Sequence, residues 1–180
     1  MTDFMDVIKG RRAIRKYEEK GIPEDLLNQV LEAVRWSPSW ANSQVWEVVV
    51  AKDPEIKEKL SQTLTPKNPS LRAVANAPVV LAVCGKLKSS GYFKDQAITK
   101  LEDWFMFDLG LATQSLCLAA HGLGLSTVIL GAFDIDKAEE ILGIPEGYGL
   151  VTLIPLGYPA QSPPTPKRRE ISEFVHVDKF

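Results

Sequence analysis

Apolar positions along the chain change period several times, and each change marks an element. After Pro23, Glu24 and Asp25, a favourable first turn, Leu26, Leu27, Val30, Leu31 and Val34 recur at helical spacing until SPSWANS (37–43) breaks the pattern. WEVVVA (46–51) has the β-branched density of a buried strand, and DPE (53–55) opens a second helix with Ile56, Leu60 and Leu64 on one face. TLTPKNPS (63–70) reads as loop, and APVVLAVCG (77–85) as a core strand opened by Pro78, since proline is tolerated at a strand's first position. The polar stretch KLKSSGYFKDQ (86–96) leads into the longest helical pattern, from about Ile98 to His121. Its apolar side chains run most of the way round, so it is expected to lie buried in the protein or against a partner chain, and HGLG closes it. STVIL (126–130) predicts a third strand, GAFD (131–134) a turn, DKAEEILG (136–143) a short helix, and LVTLIPLG (150–157) a fourth, central strand. YPAQSPPTP (158–166) carries four prolines in nine residues, which favours extended polyproline structure, and the tail ISEFVHVDKF (171–180) alternates like a weak strand.

These elements predict one α+β domain over residues 1–180 with an extended C-terminal arm. The composition is that of an ordinary globular chain, 45% hydrophobic and 24% charged. A formal net charge of −2 supplies no global field for nucleic acid or an anionic membrane, so the expected ligand is small. Leu109 to Phe133 contains His121 as its sole chargeable residue, but Gln114, Ser115 and the glycines of HGLGLS interrupt it, which predicts a buried helix and strand in place of a membrane span. Cys84 and Cys117 each sit inside an apolar run and read as buried thiols of a reducing compartment. MTDFMDVIKGRR has no apolar core of a secretory leader, so the expected location is the cytoplasm.

Several chemistries lack their signatures: P-loop, G-x-G-x-x-G after a strand, H-E-x-x-H, C-x-x-C and G-x-S-x-G are missing. His121 and His176 have no carboxylate or cysteine at metal spacing, so no metal site is expected, and if the chain is an enzyme a cofactor carries the reaction. Two cationic knots stand out, Lys9, Arg11, Arg12, Arg15 and Lys16 near one end and Lys167, Arg168 and Arg169 near the other. Each alone is ordinarily a solvated surface run; together they suit one phosphate, gripped by guanidinium forks with a lysine as point charge. The polar loop Pro38 to Gln44, flanked by Trp40 and Trp46, runs straight into a strand and is a candidate wall for a flat ligand.

Read together, RRAIRKY, PSWANSQVW, AAHGLGLSTVILGAFD, LGIPEGYGLVTLIPLGYP and PKRRE, in that order, resemble the nitroreductase family of FMN-dependent oxidoreductases. The resemblance implies a homodimer with a central, mostly antiparallel sheet packed between helices, FMN at the dimer interface, and a C-terminal arm extending over the partner subunit. It implies a phosphate grip by Arg11, Lys167 and Arg169, contacts of Arg12 and Arg15 with the ribityl chain and pyrimidine edge, Ala13 as a further cofactor-site position, and a loop of Pro38, Ser39, Trp40 and Asn42 supplied by the other subunit. Leu130, Gly131 and Ala132 match the segment whose backbone N–H faces the flavin N5 and O4 edge. The implied activity is ping-pong hydride transfer from NADH or NADPH through FMN to an electron-poor acceptor such as a nitroaromatic or quinone. The alternatives are a specialised flavin reaction on the same fold (dehalogenation, metabolite or peptide dehydrogenation, flavin fragmentation) or a non-enzymatic phospholigand-binding protein. Ala13 stands where the family commonly has serine, which is expected to weaken cofactor binding by about 1 kcal/mol. Val45 replaces a usual proline, and the 65–96 segment matches nothing assignable.

Overall fold

The structure, a computed structural model, describes residues 3–180. Helix α1 (Phe4–Gly10) is followed by an extended stretch and α2 (Glu24–Arg35). A 3-10 turn at Trp40–Asn42 leads into β1 (Trp46–Ala51), then α3 (Pro54–Gln62), α4 (Leu71–Asn76) and β2 (Val79–Lys86). A small hairpin, β3 (Tyr92–Phe93) and β4 (Gln96–Ala97), precedes the long α5 (Phe105–Gly122). β5 (Ser126–Thr127), α6 (Ile135–Leu142) and β6 (Tyr148–Gly157) follow, and a 3-10 turn at Ile171–Glu173 interrupts the arm.

The main sheet has the order β1-β2-β6-β5 with every neighbouring pair antiparallel, so β6 is an inner strand as its apolar run predicts. Period-2 alternation in β2 divides the core between the two faces. Val79, Leu81 and Val83 pack with Leu27, Val30 and Val34 of α2 and with Leu109, Leu116 and Ala120 of α5. Val80, Ala82 and Cys84 pack with Leu60 of α3, Val74 of α4 and Ala138 of α6. The result is the expected sheet between helical layers.

Besides the unpredicted β3–β4 hairpin, four elements differ from expectation. The long helix starts at Phe105, seven residues after Ile98, because Glu102 has a left-handed backbone (φ 56°) and the Asp103 carboxylate accepts from the Phe105 N–H at 3.1 Å, which sets the helix start there. STVIL pairs with β6 only at Ser126–Thr127 and again, in the same register, at Leu130 opposite Leu153. That register places Val128 opposite Pro155, which has no N–H to donate, while the Pro155 carbonyl accepts from the Tyr17 hydroxyl at 3.0 Å. The 63–70 loop is followed by α4, six residues too short to show a period. The tail forms no strand: Glu170 and Glu173 close a capping box around the 3-10 turn, and residues 167–180 are exposed.

Candidate functional site

Arg11, Arg12, Arg15 and Lys16 are carried on an extended ribbon held between β5 and the arm. Asp3 caps α1 by accepting from the Met5 N–H at 2.8 Å, and Gly10 ends it against His121: a Cβ there would lie 2.6 Å from the imidazole Nε2. Beyond Gly10, the Ile14 N–H donates to the Thr127 carbonyl at 3.0 Å and buries its side chain, so Ala13, bridged to Thr127, and Arg15 face elsewhere. The arm runs beside this ribbon, with the Glu18 N–H donating to the Tyr158 carbonyl at 3.0 Å and the Ala160 N–H to the Lys16 carbonyl at 2.9 Å. Arg12 donates to the Lys9 and Arg11 carbonyls at 2.5 and 2.9 Å, and across to the Thr165 hydroxyl. Thr165 is two residues from Lys167, so the two cationic knots approach each other. Arg169 turns back on its own segment, donating to the Glu173 carbonyl with its guanidinium 5.8 Å from the Phe174 ring centre.

Arg15 reaches a different neighbour. Its Nε donates to the hydroxyl of buried Ser70 at 3.0 Å, and Asn68 accepts from the Ser70 N–H at 2.9 Å. The Asn68 N–H donates to the Thr65 carbonyl, and the Thr65 N–H to the Ala132 carbonyl at 3.3 Å. A hydrogen-bonded chain thus joins Arg15, the 65–70 turn and the Leu130–Ala132 segment. Beside it opens a cavity of about 790 Å³ lined by Arg15, Lys16, Asn68, Arg72, Asn76 and Gln161. Leu130 is buried and shares both backbone bonds with Leu153, whereas among the described residues the exposed Gly131 N–H has no hydrogen-bond partner. Gly131 also lines a groove of about 630 Å³ with Met106, Leu109, Thr113 and Ile129.

The charge balance of this region is one-sided. Among the described residues the ion pairs are Arg35–Glu32, Lys52–Glu24 and Lys137–Asp134, and none includes Arg11, Arg12, Arg15, Lys167 or Arg169. Burial, and then the charges of Arg11 and Arg12, push the His121 imidazole below its ordinary range. Burial raises the Cys117 thiol, opposed by the Thr127 hydroxyl and Arg11. Cations held together without a carboxylate suit an anion.

The Pro38–Gln44 loop lies at the other end of α5. Its backbone is strained, with positive φ at Ala41, Asn42 and Gln44, a conformation that costs about 1–2 kcal/mol for most non-glycine residues. Asp108, in the first turn of α5, accepts from the Trp40 N–H at 3.0 Å and the Ser43 hydroxyl at 3.3 Å. The Ser39 hydroxyl accepts from the Gln44 N–H at 2.9 Å, and the Trp40 and Trp104 rings pack at a tilt of 44° with centres 5.0 Å apart. Asp108 and His121 are about 20 Å apart at the helical rise of 1.5 Å per residue. The structure therefore brings Arg12 against the arm and Ala13 against Thr127, and links Arg15 through the 65–70 turn to Ala132, but leaves Pro38, Ser39, Trp40 and Asn42 a helix length away within one chain.

Sequence reasoning missed Asn68, Ser70, Arg72 and Asp108. The signal for the first two was the N-P-S turn, where asparagine bonds its own backbone two residues on. For Asp108 it was a lone carboxylate inside an apolar helix, which needs donors from somewhere.

A model of the nitroreductase family matches residues 8–158. The chain is 33% identical, over 99% of its own length and 88% of the other, to a protein of Methanothermobacter thermautotrophicus provisionally named NADH dehydrogenase/NAD(P)H nitroreductase. It is 30% identical to an FMN reductase [NAD(P)H] of Bacillus subtilis, over 89% of this chain and 67% of that one. Among solved structures it superposes on a nitroreductase family protein of Clostridium novyi NT with a TM-score of 0.78 at 28% identity, covering 88% and 87% of the two chains. The chain belongs to the nitroreductase family.

Proposed function

We propose that the chain is an NAD(P)H-dependent FMN oxidoreductase that acts as a cytoplasmic homodimer on electron-poor acceptors such as nitroaromatics or quinones. The observation that carries this reading is the cationic strip Arg11–Arg15 meeting the C-terminal arm with no carboxylate to neutralise it. Arg11, Lys167 and Arg169 would hold the phosphate, and Arg12 and Arg15 the ribityl and pyrimidine parts, with Asn68 and Arg72 beside Arg15 as further polar contacts. The Gly131 N–H is an unused donor suited to a polar ring edge, and the absent side chain permits close approach. Ala13 offers no hydroxyl, so that contact is missing from this chain. FMN, when bound, supplies two-electron redox chemistry between nicotinamide and acceptor. The chain's part is electrostatic: fixed cations and a backbone N–H favour negative charge on the bound ring system.

The distance between the loop and the arginines favours a two-fold dimer. If α5 packs against its partner across a two-fold axis perpendicular to the helix, the two helices run antiparallel, and the loop at one α5 N-terminus meets the arginines at the other's C-terminus. Met106, Phe107, Gly110 and Gln114 leave one face of α5 uncovered, with Phe107 57% exposed and Met106 55%. Among the described residues no helix is long and apolar enough to cross a membrane, so this face suits a partner protein.

An absorbance spectrum of the purified protein, followed anaerobically as NADPH and then NADH are added, tests the reading. A yellow protein that bleaches, and regains its colour with a quinone or nitroaromatic, is the expected result. A protein that takes up no FMN would overturn it.

A further inference from the structure

Asp108 is 1% exposed and the sole acid of α5, yet nothing in the hydride-transfer reading uses it. A carboxylate so deeply placed needs several donors, and it has them from two separate segments. From the flavin loop come the Trp40 N–H at 3.0 Å and the Ser43 hydroxyl at 3.3 Å. From the base of the β3–β4 hairpin comes the hydroxyl of fully buried Ser90 at 2.7 Å, the short length of a charge-assisted bond. Each segment is also tied to the same helix start. The Trp104 N–H donates to the Ser90 carbonyl at 3.0 Å, the Asp108 N–H to the Trp104 carbonyl at 3.1 Å, and the Trp104 ring packs against Trp40.

The held loop would not keep its shape unaided. Three left-handed non-glycine residues within Ala41–Gln44 persist only where surroundings over-determine them. Asp108 supplies that constraint at Trp40 and Ser43, which bracket Ala41 and Asn42. We infer that Asp108 is a positioning residue: by clamping the Pro38–Gln44 loop to the hairpin base it holds in one geometry the backbone that the loop presents to the partner subunit's FMN. The inference rests on the FMN reading above. It adds that the base of the β3–β4 hairpin bears on the flavin indirectly, through the Ser90–Asp108 bond and the loop.

The test uses full-length holoprotein carrying Asp108→Ala, Asp108→Asn, and the milder pair Ser43→Ala with Ser90→Ala. Readouts are the rate of FMN release, the visible circular dichroism of bound flavin, and the rate of flavin reduction at saturating FMN. Asp108→Ala is expected to speed FMN release at least about tenfold, since hydrogen bonds to a charged group are lost, and to change the flavin dichroism. Asp108→Asn is expected to recover most of both, because its carbonyl still accepts from Trp40 while the serine hydroxyls rotate to accept from its amide. The serine pair is expected to give a smaller change of the same sign, and it decides the matter if Asp108→Ala does not fold. Leu60→Val, a core change on the opposite sheet face, is the control for general destabilisation. Flavin signals in the Asp108→Ala variant that match the parent, or differ no more than those of Leu60→Val at equal loss of Tm, would overturn the inference. So would an Asp108→Asn variant as impaired as the alanine one. A parent protein that holds no FMN would instead sink the functional reading.

Discussion

Arg11 and Arg12 leave a mark on His121 that can be measured without any turnover. Burial and the two guanidinium charges both disfavour the imidazolium, so the folded protein takes that proton at lower pH than the unfolded chain does. The sign follows: neutral His121 costs nothing above the unfolded value of about 6.5, and stability is lost as pH falls through that value towards the folded one. A phosphate bound between the ribbon and the arm offsets both arginines. Adding FMN or inorganic phosphate is therefore expected to raise the His121 pKa, read from its ring resonances by NMR titration, and an unmoved titration would place the anion elsewhere. Arg15 is a different case, since its Nε is engaged by Ser70 and it lines the cavity beside Asn68 and Arg72. Arg15→Ala is expected to slow flavin reduction more than it weakens FMN binding, and equal reduction rates in mutant and parent would contradict an electrostatic role for it.

At the level of elements, the β3–β4 hairpin depends on one backbone position. Gly91 has φ +82°, and a Cβ there would lie 2.5 Å from the Glu102 carbonyl oxygen and 2.6 Å from the Trp104 ring. Gly91→Ala is expected to displace the hairpin at a cost of about 1–3 kcal/mol, seen as a lower Tm and faster proteolytic nicking between residues 88 and 103; an unchanged cleavage rate would mean that the hairpin base is not fixed there. This hairpin and α4 were illegible in the sequence for the same reason: two-residue strands and a six-residue helix are set by tertiary contacts, too short for any period to emerge. α2, α3, α6 and the three long strands were legible because their apolar residues repeat over enough positions to define a buried face. The start of α5 was misplaced because helical periodicity continues through Ile98 and Leu101, while the break lies in the backbone of Glu102, which no periodicity records. The pairing gap at Val128 was legible in principle, since a proline in a central strand must leave one ladder position empty.

For the molecule as a whole, the spatial division of the site is the strongest guide to assembly. Family resemblance named both halves of the site, but sequence order gave no distance between them; that needed α5, with the arginines beside its last turn and the loop bonded to its first. An antiparallel pairing of two such helices joins the halves and covers the exposed Met106 and Phe107 in the same step. Met106→Glu places a charge on the uncovered α5 face that the proposed contact would bury, without touching an arginine or the loop. The expected outcome is a monomer by sedimentation velocity, an unaltered far-UV spectrum, and FMN affinity reduced at least about tenfold, because each flavin loses the loop of the other chain. Loss of the dimer with full retention of FMN would mean that one chain holds the cofactor by itself, and the Pro38–Gln44 loop would then need another role.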